Sequence, residues 1–316
     1  MNRRRIAIGV SSVSGLAVVA VSAVNLFSGG GKANAVVDLH AAPVAAVSAA
    51  GTATGRTGSA QIDTLVTMST AAVPAQGAHP ARPAESTTMH GTGAFDFAKQ
   101  MGTLDVAVAG GSVQEVLTSP ALYMRTTSAP NAATSAKGWQ KVDAAKSSDG
   151  NLVSGGATDP ALVLAMLAGT RPGVQFVGQD QVRGVPVAHY RGTLDLQQAA
   201  QAADPAGVRP ADAAVARRAL ATAARAFTSS QVPFDAYLDE QGRLRRFVGL
   251  FSFTLPGSAK TVVQVTSATE LFGFGTPVTV TVPAVAPPAA ATPGHSPHTA
   301  PSAPPAHPSS PTSTHK

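Results

Sequence analysis

The chain has 316 residues, 44% of them apolar, with only 13% charged and 5% aromatic, and it contains no cysteine. No disulfide can staple the fold and no acylated cysteine can carry a lipid anchor, so the core must hold without either. The net charge of +6 falls to +2 once residues 1–35 are set aside, because they hold Arg3, Arg4, Arg5 and Lys32 and no acidic residue; with no Lys/Arg run carrying interleaved aromatics, nucleic acid is excluded as a partner.

Arg3, Arg4 and Arg5 precede an uncharged stretch from Ile6 to Gly31 that is apolar to about Phe27. That is the pattern of an export signal, and Ala33-Asn34-Ala35 supplies the small-x-small site that a signal peptidase accepts, with cleavage expected after Ala35. The apolar stretch is also about long enough to span a bilayer, so residues 1–35 are either a cleaved signal peptide or an N-terminal membrane anchor. Both readings put the remainder outside the cytoplasm, secreted or anchored on the cell-wall side, because the arginines stay on the inner face.

Residues 36–56 read as a linker, and the folded domain is expected over 57–283. In 60–70, Ile62, Thr64, Val66 and Met68 alternate with Asp63, Leu65, Thr67 and Ser69, the period of a half-buried strand. A long flexible loop follows over 71–85, with Pro74, Pro80 and Pro83. Short alternating runs at 87–97, 104–109, 113–118 and 122–126, separated by turn residues, predict an antiparallel meander, since parallel strands need longer crossovers. Thr158-Asp159-Pro160 then signals a helix start, with the helix over 161–169. Strands are expected at 174–179 and 185–194, helices at 197–203 and 210–228, and strands again at 233–238, 244–254, 261–271 and 278–282. In the long helix Ala216, Leu220, Ala223 and Phe227 share one face. About nine or ten strands and three helices make the class α+β with one large antiparallel sheet. From 284 to 316 a Pro-rich stretch with no apolar period reads as a disordered tail. Its His295, His298, His307 and His315 are too irregular for a metal site, so no metal and no cofactor is expected.

Two segments carry a resemblance: Val182-Arg183-Gly184-Val185-Pro186-Val187-Ala188-His189-Tyr190-Arg191-Gly192-Thr193-Leu194-Asp195-Leu196 and Val232-Pro233-Phe234-Asp235-Ala236-Tyr237-Leu238-Asp239-Glu240-Gln241-Gly242-Arg243-Leu244. Together with Gly91-Thr92-Gly93-Ala94-Phe95-Asp96-Phe97 they resemble the LolA-like superfamily, in particular its actinobacterial LppX and LprG type, over roughly residues 55–283. The resemblance implies a curved half-barrel of antiparallel strands wrapped over helices, with an apolar cavity between them for acyl chains. Relatives carry lipids or lipoproteins across the envelope. Those actinobacterial relatives are typically lipoproteins, whereas this chain has no cysteine to acylate.

On that reading the chain is a non-enzymatic envelope protein that binds lipid or an acylated ligand at a membrane surface. Catalytic motifs are absent: there is no Gly-x-Ser-x-Gly, no phosphate-binding Gly-x-x-x-x-Gly-Lys and no His-Glu-x-x-His. Asp96, Asp105, Asp195, Asp235 and Asp239 fit turn and strand roles better than an acid–base pair. His189 fits a satisfied framework role better than a headgroup contact. Cavity candidates follow from the period-two faces: Ile62, Val66, Met68, Phe95, Phe97, Leu104, Val106 and Val108, with Phe227 from the long helix. A cavity and an ordinary core demand the same apolar pattern, and the sequence leaves both open. The alternative function is an extracytoplasmic sensor that binds a protein partner such as an anti-sigma factor, a use to which the LolA-like fold is also put.

Overall fold

The structure, a computed structural model, describes residues 41–75, 81–119, 121–128, 138–143, 147, 149–153, 159–202, 210–254 and 261–285. The expected export signal with Ala33 and Ala35, and residues 286–316 of the expected tail, lie outside the described residues.

Eleven strands form one open, curved antiparallel sheet: β1 (Ser59–Thr70), β2 (Glu85–Asp96), β3 (Met101–Val108), β4 (Gly111–Thr118), β5 (Ala121–Ser128), β6 (Gln140–Asp143), β7 (Gln175–Val182), β8 (Val185–Asp195), β9 (Gln231–Leu238), β10 (Leu244–Thr254) and β11 (Val262–Phe272). Their order, β6-β5-β4-β3-β2-β1-β11-β10-β9-β8-β7, is two meanders that meet where the first strand pairs with the last. The β1–β11 register, Ile62 opposite Leu271 and Thr64 opposite Thr269, places inward residues against inward residues. Period two then puts Ala60, Ile62, Thr64 and Val66 in the interior while Leu65 stays exposed.

The helices are α1 (Ala41–Gly55), α2 (Pro160–Met166) running into a 3-10 turn (Leu167–Gly169), α3 (Leu196–Gln201) and α4 (Pro210–Ala226). Asp159 caps α2 by accepting the Ala161 N–H at 2.8 Å, with Pro160 at the first turn. Asp195 caps α3 through the N–H groups of Gln197 and Gln198. All four helices pack on the same face of the sheet. One core joins Val47 and Ala50 of α1, Val163 and Met166 of α2, Leu196 of α3 and Leu220 of α4 to inward residues of both meanders. A flat sheet carrying all these strands would be about 50 Å wide, more than the helices could cover, so curvature is what lets one core serve both halves.

Several sequence expectations need correction. Most of the expected linker 36–56 is α1. Its run AAPVAAVSAAGTATG has no apolar stripe, and tertiary contacts hold it instead. Val47 and Ala50 are fully buried, the Leu244 N–H donates to Thr54 Oγ1 at 2.8 Å, and Gly51 sits so close to α2 that an added Cβ would lie 2.6 Å from the Leu164 carbonyl oxygen. The expected strand at 278–282 is irregular chain with no ladder partner. Conversely β6, which pairs with β5 through Leu122 and Val142, was not expected as a strand, because its four residues are too short to show a period. The connection over 71–85 is pinched, with Val73 and Arg82 exchanging two backbone hydrogen bonds of 2.9 Å.

Candidate functional site: a cavity among the helices

A cavity of about 510 Å³ lies between the helices, not between the helices and the sheet. Helix α1 contributes Ser48, Gly51, Thr52 and Gly55; α2 and the turn after it contribute Ala161, Leu164, Ala165 and Ala168. Ala199 of α3, Ala202 just after it, and Ala213, Ala216 and Leu220 of α4 complete the wall, and Phe97, Ala98 and Gln100 approach from the β2–β3 turn. The cause is in the residue types. An alanine projects a single methyl, so facing alanines on neighbouring helices leave space that no side chain fills.

The cavity is mostly apolar, with an exposed cation at its mouth. Phe97, Ala199, Ala213 and Leu220 are buried, while Arg56 and Ala98 are exposed and mark the mouth, where the Phe97 N–H donates to the Gly58 carbonyl at 2.8 Å. Three charged residues line it: Arg56, Arg217 and the buried Asp212. A lining this apolar offers no acid–base pair or nucleophile aimed at a common point, and suits burial of a hydrocarbon.

A second cavity of about 50 Å³, room for a water or two, shares Gln100, Ala161, Asp212 and Ala216 with the first and reaches Phe95, Leu117, Leu122 and Asp159. Glu115 of β4 is nearby in charge terms. It is 2% exposed, its Oε1 has no hydrogen-bond partner among the described residues, and burial, reinforced by the Asp159 carboxylate, pushes its pKa up to about 8. Burial likewise raises Asp159 to about 6, against the pull of the Ala161 and Leu162 N–H groups.

Of the nine residues expected to line a cavity, Phe97 lines the one among the helices and Phe95 the smaller one. Ile62, Val66, Phe95, Leu104, Val106 and Phe227 are buried in the filled core, and Met68 and Val108 are half-buried against it. Phe227 packs its ring 5.1 Å from that of Phe251. The alternation therefore marks the inward face, and large side chains fill the space behind it. Of the alanines that line the cavity the sequence singles out Ala216 alone, because small residues in helices read as good helix formers; their clustering on α2, α3 and α4 was the available signal.

The polar candidates have structural roles. His189 Nε2 lies 2.6 Å from Asp235 Oδ1, its ring stacks 4.3 Å from Tyr237, and Arg191 Nε reaches the same oxygen at 2.9 Å, all on the sheet face away from the helices. Asp239 accepts the N–H groups of Gln241 and Arg243 in its turn and pairs with Arg245. Asp96 pairs with Lys99 at 2.7 Å, Asp195 caps α3, and Asp105 is exposed. Among the described residues there is no cluster suited to a metal ion, and no helix is long and apolar enough to cross a membrane.

No family model and no curated protein matches the chain. Among solved structures it is similar to the lipoprotein LppX of Mycobacterium tuberculosis, at 11% identity and a TM-score of 0.41, over 76% of this chain and 99% of that one. It is similar to LprF of Mycobacterium bovis at 15% identity and a TM-score of 0.37, over 78% and 98% of the two chains. A LolA superfamily protein of Nitrosomonas europaea gives 9% identity and a TM-score of 0.27, over 73% and 93%. At these values the likeness bears on neither ligand nor mechanism, and the site has to be read from its own geometry.

Proposed function

We propose that this chain is a non-enzymatic, exported LolA-like module that binds a lipid or other acylated ligand by burying an acyl chain in the cavity between α1, α2, α3 and α4. The observation that carries the reading is the cavity itself, about 510 Å³ with walls of alanine, leucine and phenylalanine and an open mouth at Arg56 and Ala98. That volume falls within the ordinary range for ligand sites. Each methylene moved from water into it contributes about 0.8 kcal/mol, so a chain of ten carbons contributes about 8 kcal/mol against the cost of association. The half-barrel wrapping and the export signal expected from the sequence fit a carrier outside the cytoplasm that collects its ligand at a membrane surface.

The sensor reading, in which a protein partner docks on an exposed edge or helix, needs no lumen, and the presence of one favours the carrier. Native mass spectrometry of the purified protein, followed by solvent extraction, tests the choice. An acylated species held in stoichiometric amount, and lost in an Ala165→Phe or Ala216→Leu variant that blocks the lumen, is the expected result. Protein that emerges empty and takes up no fluorescent fatty acyl probe would overturn the carrier reading.

A further inference from the structure

The lining of the cavity says more about the ligand than that it is apolar. At roughly 30 Å³ for a group the size of a water or a methylene, about 510 Å³ holds on the order of 15 such groups, about the content of one acyl chain. Leu220 and Phe97 are buried in the wall and the exposed mouth is where water is available, so the chain's polar end must sit at the mouth. Arg56 stands there, immediately after the last turn of α1. Its side chain is exposed, and among the described residues it makes no hydrogen bond and no ion pair. The other two charged residues of the lining, Arg217 and Asp212, are engaged with groups of their own. The lining therefore carries one more positive than negative charge, and the guanidinium at the mouth is free to present its planar fork of donors to a carboxylate or phosphate.

We propose that the cavity takes a single-chain anionic amphiphile, its chain among the helix alanines and its carboxylate or phosphate held by Arg56. This rests on the acyl-binding reading above. A local role for Arg56 exists, since a cation beside a helix C-terminus is favourable, but that role has no bearing on which headgroup is preferred.

The test is a titration of the purified, delipidated protein, below micellar concentrations, with four ligands of one chain length: hexadecanoate, monohexadecyl phosphate, hexadecanol and hexadecyltrimethylammonium. The expected result is that at least one anion binds about tenfold or more tightly than hexadecanol, and that the cation binds weakest. Arg56→Gln abolishes the preference for the anion, read as the ratio of anion to hexadecanol affinity, while Arg56→Lys keeps part of it. The stronger of the two anions tells whether the natural headgroup is a free fatty acid or a phosphate ester. Equal binding of hexadecanol and both anions, or an anion preference that survives Arg56→Gln, overturns this inference and leaves acyl binding standing. Failure of all four ligands to bind overturns both.

Discussion

The space under the sheet and the space between the helices are built from different side chains, and the contrast explains why one is solid and the other hollow. Beneath the sheet, Phe95, Phe234, Phe247, Leu104 and Ile62 are almost wholly buried, and Phe234 and Phe247 stack with ring centroids 5.9 Å apart. Between the helices, Ala161, Ala165, Ala168, Ala199, Ala213 and Ala216 face one another across an opening. The lesson is that apolar patterning locates an interior face, while side-chain volume decides whether that face encloses a core or a lumen.

The contrast breaks most visibly at Phe247. Phe247→Ala should cost about 3–5 kcal/mol in urea unfolding, because the surrounding rings cannot collapse into the hole. Ligand binding in the protein that remains folded should be unaffected. A loss under 1 kcal/mol would mean the space beneath the sheet is as loose as that among the helices.

The next effect is smaller and depends on pH. Glu115 has its ordinary pKa of 4.5 in the unfolded chain and a folded value raised to about 8. Below the lower value both states hold the proton. Between the two the folded state alone retains it, so stability falls as pH rises, and it levels off above the folded value. The fall should amount to a few kcal/mol in all. Asp159 moves in the same direction over a lower window, from 3.8 to about 6. Glu115→Gln should remove most of the decline between pH 5 and 9, leaving the variant the more stable protein at pH 9. Parallel curves for the two proteins would show that Glu115 ionises as freely folded as unfolded.

Gly51 sharpens the contrast from the helix side. A methyl at this position meets the Leu164 carbonyl oxygen at 2.6 Å, so Gly51→Ala must push α1 away from α2. The expected cost is about 1–3 kcal/mol, read from the thermal midpoint, with weaker ligand retention because the wall has shifted. Smallest in stability is Ala165→Phe, which adds a ring where there is empty space. Unfolding free energy should change by less than about 1.5 kcal/mol while binding disappears. A large loss of stability would mean that Ala165 is packed and that the lumen does not extend to it.

Much of this architecture was legible in the chain. Alternation at 60–70 and along the later strands announced an antiparallel sheet, since a pleated strand with one dry face leaves no other pattern. Asp159-Pro160 announced a helix start through the capping chemistry of the carboxylate, a device the structure also uses at Asp195. The turn at Asp239 was likewise visible, because its side chain satisfies the N–H groups of the residues that follow.

Helix α1 was not legible, and the cavity that it walls was not either. Both rest on small residues, which carry no hydrophobic period and no volume signal of their own. Local sequence determined the strands, their inward faces and the helix caps, because those follow from backbone period and nearby hydrogen bonds. The tertiary structure alone decided that Thr54 would anchor α1 to Leu244, that Gly51 would seat α1 on α2, and that the alanines of three separate helices would meet around one opening. Whether facing side chains touch depends on the distance between their backbones, and that distance is set by residues far away in the chain.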